Sequence, residues 1–178
     1  MEDTFFAYLQ RLEMIAFFSA YPLMYTIILF ITGNQKVKSN FKSRLASLLP
    51  FAYALVGTLY IGLQLKNLYP DYSIENIKLS VEQPYMKIWA LLTVLFWIPV
   101  ISKKTVLSLL HSLVFFFLLI KDLFVQSSLS NGGNHIIKNV MKVYTDSLLI
   151  NVFSLIVVAV VYFLFLRIRQ NNKPDPAQ

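Results

Sequence analysis

Apolar runs about as long as a membrane-crossing helix recur five times in this chain, at residues 12–32, 45–65, 84–101, 105–125 and 143–166. Crossing ~30 Å of hydrocarbon takes about 20 apolar residues in a helix, and inside the bilayer no water is available to bond an open backbone. The runs lack strand-like alternation. They predict an all-α integral membrane protein with five transmembrane helices in a single bundle over residues 1–169, followed by a disordered polar tail at 170–178. The third run is the shortest. It begins at Pro84, which suits the first turn of a helix, and Lys87 is expected to snorkel toward the head groups. Pro22, Pro50 and Pro99 fall inside or at the edges of runs, where they mark expected kinks.

Lipid as the solvent also explains the composition. Charged residues make up 14% of the 178 positions and hydrophobic ones 57%, whereas a soluble domain carries about 25% charged residues. Cysteine is absent, which excludes disulfides, thiolate metal sites and thiol redox chemistry. Two histidines, His111 and His135, are too few to build a histidine metal site, so neither a metal nor a cofactor is expected. The net charge of +7 is dispersed in short basic segments between the apolar runs. None is long enough for a nucleic-acid footprint. The expected partners are the lipid bilayer and either a membrane-protein partner or a further copy of the chain, with no nucleic acid.

Those basic segments set the expected orientation, because lysine and arginine favour the cytoplasmic side. Lys36, Lys38, Lys42 and Arg44 follow the first run without an acid among them, Lys103 and Lys104 separate the third and fourth, and Arg167, Arg169 and Lys173 follow the fifth. Five crossings with the N-terminus outside place all of them in the cytoplasm with the C-terminus. Lys138 and Lys142 dissent. The acidic opening MEDTFF and the long apolar run after it are unlike a cleaved leader, so this segment is expected to remain as the first span. A bacterial inner membrane is the expected location. In the external 66–85 loop, Ile74, Ile77 and Val81 form a short apolar stripe. It predicts an interfacial helix, with Tyr69, Tyr72, Tyr85 and Trp89 at head-group level.

The polar residues within the runs carry what functional signal there is. Ala46, Pro50, Ala54, Thr58 and Gly62 recur every fourth residue, a small-residue ridge suited to helix packing within the bundle or between copies. The adjacent ridge holds Tyr53, Gly57, Tyr60 and Gln64, whose phenol and amide groups must bridge helices or line a polar cavity. His111 and Asp122 project from nearly one face of the fourth helix, ~16 Å apart, and make a candidate proton-relay column. Ser108 and Ser112 flank the histidine. Lys121 lies ~24 Å from Thr105, near the outer rim of a ~30 Å core, where a lysine can snorkel. Asp122 is too short to do so and needs a partner. Arg11 and Glu13 start the first run at a similar depth, so the expected pairs are Arg11–Asp122 and Glu13–Lys121.

No HExxH, GxSxG, P-loop or GxGxxG pattern occurs. The reading is therefore a small multi-pass membrane protein acting as a non-catalytic accessory, assembly or scaffold subunit. One alternative is a small transporter or pore using His111, Asp122, Gln64 and the intramembrane tyrosines. A third is a membrane enzyme acting on lipid.

Overall fold

The computed structural model describes residues 11–33, 40–70, 84–129 and 133–171, nearly all of them helical. Most of the 66–85 loop, including the expected interfacial stripe, lies outside this set, as does the tail from residue 172. The elements are α1 (residues 11–18), α2 (Tyr21–Gly33), α3 (Asn40–Leu68), α4 (Pro84–Leu91), a 3-10 helix η1 (Leu92–Trp97), α5 (Pro99–Ser102), α6 (Thr105–Leu129) and α7 (Gly133–Asn171). Four stretches are long and apolar enough to cross a membrane: Arg11–Thr32, Arg44–Leu68, Thr105–Val125 and Met141–Asn171. The described residues form a helical bundle whose four long apolar helices are compatible with a membrane.

The third run is built differently from the single helix expected over 84–101. The Thr93 hydroxyl donates to Ala90 O at 2.6 Å, which suits the tighter winding of η1. Pro99 then ends it. A residue before proline is pushed out of the helical region, and Ile98 is extended at φ −73 and ψ 120 before Pro99 opens α5. α3 passes through Pro50 without a break in the helix. α7 continues through residues 170 and 171, which the sequence assigned to the tail.

Side-chain pairs fix the helix directions. Glu13 meets Gln64 and Phe18 meets Tyr53, while Arg11 meets Asp122 and Tyr25 meets Thr105. The α1–α2 stretch thus runs antiparallel to both α3 and α6. Thr93 lies against Gly57 and Trp97 against Phe51, so α4–η1 also runs antiparallel to α3. One end of the bundle holds Arg11, Glu13, Gln64 and Asp122, and the other holds Arg44, Lys103 and Arg167.

α3 is the hub, with Leu49, Ala52, Tyr53, Ala54, Val56 and Tyr60 all at 1% exposure or less. Lipid tails are as apolar as leucine, so close packing rather than expulsion of water holds such helices together. Here the packing is aromatic. Tyr21 and Tyr53 rings lie 4.3 Å apart and Phe18 and Phe115 rings 4.7 Å apart, with Tyr60 edge-on to Phe18 at 5.4 Å.

Within the bundle, the small-residue ridge packs only in part. Pro50 and Ala54 are buried and Ala46 is half-buried, but Thr58 and Gly62 turn outward. A methyl group built on Gly62 meets nothing within 4 Å. The close approach is at Gly57 on the neighbouring ridge, where an added Cβ would overlap Thr93 Oγ1 and stand 2.7 Å from its Cβ. Gly57→Ala is expected to destabilise the bundle by about 1–3 kcal/mol through overpacking, measured by SDS-driven unfolding in mixed micelles. Gly62→Ala is expected to be neutral or slightly stabilising. Equal effects at the two glycines would contradict this account.

Candidate functional site

The first spanning stretch breaks at residues 19–20, just ahead of Pro22. Proline lacks an N–H and its ring clashes with the carbonyl four residues back, so the turn before it cannot close. The loosened groups are met by α7: Ala20 N donates to Ser147 Oγ at 3.1 Å, and Asn151 Nδ2 donates to Phe17 O at 2.8 Å. Ser147 and Asn151 are not among the polar residues singled out from the sequence. A lone amide within an apolar run was the available signal, because such a group must find a partner in hydrocarbon. Beyond the break, Tyr21 OH and Ser108 Oγ are 2.8 Å apart. Ser108 spends its proton on Thr105 O at 2.7 Å, so the tyrosine is the donor.

His111 is buried, with both ring nitrogens engaged. Its Nε2 lies 2.9 Å from Trp89 O, a pure acceptor, so Nε2 carries the proton and Nδ1 accepts from Tyr53 OH at 2.8 Å. Trp89 returns the bond, donating from Nε1 to His111 O at 3.2 Å. The two rings stack 4.6 Å apart and 4° from parallel. Each side chain thus bonds the other's backbone, clasping α4 to α6. Trp89, expected at head-group level, belongs to this clasp. Ser112 donates to Leu109 O at 2.8 Å, so neither serine beside His111 has a free proton.

Asp122 lies at the other end of α6, and Phe115 and Leu119 between it and His111 are buried. Arg11 Nη2 contacts Asp122 Oδ1, with the two side chains 23% and 14% exposed. The contact is single-pronged. Arg11 Nε and Asp122 Oδ2 are buried and have no hydrogen-bond partner among the described residues. Glu13 does not pair with Lys121. Its carboxylate accepts from Gln64 Nε2 at 3.1 Å, and Lys121 faces outward. Equal depth brought Glu13 and Lys121 level, but their faces of α1 and α6 differ. Lys87, expected to snorkel, is buried.

Among the described residues, a smaller and a larger cavity open between the helices. The smaller, 300 Å³, touches His111 and is otherwise lined by apolar and aromatic side chains of η1 and α6. The larger, 720 Å³, lies at the opposite end from Asp122, between α3, η1–α5 and α7. Asp122 lines neither. Among the described residues no group of three His, Asp or Glu side chains could hold a metal ion. Comparison with protein-family models, with curated proteins and with solved structures finds no match to this chain, so its own chemistry must carry the functional reading.

Losing one member of the Arg11–Asp122 pair strands the other near the bilayer rim. Arg11→Leu and Asp122→Leu are each expected to cost about 2 kcal/mol, less than the roughly 3–5 kcal/mol of a sealed pair because both side chains keep some exposure. The double variant is expected to recover most of that loss. Lys121→Gln is expected to stay within about 0.5 kcal/mol of the parent. A double-mutant cycle read by SDS unfolding checks all three.

Proposed function

We propose that the chain is a non-catalytic accessory or scaffold subunit that crosses the membrane five times, with its N-terminus outside and its C-terminus in the cytoplasm. The observation that carries this reading is how the polar side chains inside the bundle are used. His111, Tyr53, Trp89, Ser108, Asn151 and Gln64 each bond another helix. Side chains consumed in this way hold a bundle together. A relay along α6 would need His111 and Asp122 to exchange protons, yet both histidine nitrogens are engaged and buried Phe115 and Leu119 stand between the two residues. A lipid-acting enzyme would need polar groups converging on a cavity, and the large cavity is walled mainly by apolar side chains.

The fifth crossing is the α4–η1 segment. Eight α-helical and six 3-10 residues rise about 24 Å together, at ~1.5 and ~2.0 Å per residue. The 3-10 winding adds about 3 Å over an all-α segment of the same length, and the four residues of α5 add about 6 Å more toward the ~30 Å core. Charge gives the orientation modest support: Arg44, Lys103, Lys104, Arg167 and Arg169 share one end, against Arg11, Lys66, Lys121 and Lys142 toward the other. For docking, α7 offers the barest surface. Only 22% of its spanning window is buried against 50% in the first span, and Leu149, Phe153 and Ile156 form an outward apolar stripe.

The cysteine-free chain makes the topology easy to probe. Tyr69→Cys should react with a membrane-impermeant maleimide in intact cells, and Lys103→Cys and Arg169→Cys only after permeabilisation. The reverse pattern, or Lys103 on the same side as Tyr69, would overturn the five-crossing arrangement. For the subunit role, a photo-crosslinking residue at Leu149 or Phe153 should yield a discrete protein adduct in native membranes, while one at Phe117 on α6 should not. A monodisperse monomer with no adduct from α7 would remove the scaffold reading. Proton flux in proteoliposomes that disappears in His111→Ala would favour transport instead.

A further inference from the structure

The 720 Å³ cavity is apolar along its walls and carries polar side chains at one end. Leu55, Phe51 and Leu48 of α3 and Val157, Val161 and Phe165 of α7 form its apolar walls, and Leu48 at the floor is only 3% exposed. Its rim residues Trp97, Val161 and Phe165 are 42%, 61% and 68% exposed, so the opening faces the region where acyl chains lie. At its basic end stand Ser47, Ser102, Thr105 and Lys103. The Ser47 and Ser102 protons are already spent on Arg44 O and Pro99 O, which leaves Lys103 as the cationic donor. Lys103 is exposed, and no carboxylate among the described residues pairs with it. Lys104 follows directly, and Arg44 lies one turn before Ser47.

An apolar slot open to the bilayer does not hold water, because water needs polar partners. A neutral lipid would fill the slot and leave Lys103 unanswered. We infer that this cavity is a binding site for an anionic phospholipid, with one acyl chain between α3 and α7 and the head-group phosphate at Lys103. Basic pockets between transmembrane helices suit such head groups, and one lysine close to an anionic surface is worth about 1 kcal/mol. The site stands on the cavity and the charge. It does not depend on the accessory role, whose docking stripe at Leu149 and Phe153 lies on the other half of α7.

Trp97 lines this cavity and Trp89 the smaller one, so the occupant is read from the difference in fluorescence between the chain and its Trp97→Phe variant. The purified full chain is reconstituted in vesicles of brominated phosphatidylcholine, whose bromines quench tryptophan. Unlabelled phosphatidylglycerol or unlabelled phosphatidylcholine is then titrated in. Phosphatidylglycerol is expected to relieve quenching with about fivefold preference, the weight of one lysine–phosphate contact. Lys103→Gln should bring that preference close to unity with an unchanged unfolding curve, and Lys121→Gln at the opposite end should leave it intact. Equal relief by the two lipids in the parent chain would overturn the inference, as would a preference that survives Lys103→Gln. A photo-crosslinking residue at Val161 separates the occupants: a lipid adduct supports the site, and a protein adduct assigns the slot to a partner helix or a second copy.

Discussion

Pro22 has no N–H to give, and in hydrocarbon the backbone groups it loosens have no water to turn to. Much of the bundle can be understood from that shortage. The break at residues 19–20 places Phe17 O and Ala20 N inside the protein, and α7 must bring Asn151 and Ser147 to them. This sets the height and rotation of α7 against the first span. With the break in place, Tyr21 and Tyr25 reach the start of α6 at Ser108 and Thr105. A kink that would be a defect in a solitary helix here determines where two others sit.

A second network ties the shorter segment in. Trp89 and His111 exchange side-chain-to-backbone bonds, and Trp97 Nε1 donates to Thr58 Oγ1 at 3.0 Å. Thr58 can accept because its own proton goes to Ala54 O at 3.0 Å. Together with the close approach at Gly57, these bonds hold α4–η1 against both α3 and α6. At the Asp122 end the contacts are polar, through Arg11–Asp122 and Glu13–Gln64. At the basic end the helices part around the cavity.

How much of this could be read beforehand depended on the coordinate concerned. Depth along a helix is legible, because rise per residue is constant: the run lengths give the long helices, and counting from Thr105 places Asp122 level with Arg11. Rotation about the axis is not legible, because it depends on neighbours whose own rotation is unknown. For that reason Gly62 and Gly57 exchange roles, and Glu13 finds Gln64 rather than Lys121. Trp89 near a span end carries no mark in the sequence that separates a head-group aromatic from one stacked on a histidine. The 3-10 winding after Leu91 was equally hidden, since Leu92–Trp97 has the composition of an ordinary apolar helix.

The Trp89–His111 clasp also bears on the order of assembly. α4–η1 is short, carries Lys87, and finds partners for Trp89 only when α6 lies beside it. Its link to α6 is the tight 98–104 connection. On the five-crossing topology, the segment gains little by entering the bilayer alone and much by entering with α6. The insertion machinery would then handle the two as one hairpin, and residues of α6 would help decide whether the segment before them crosses at all.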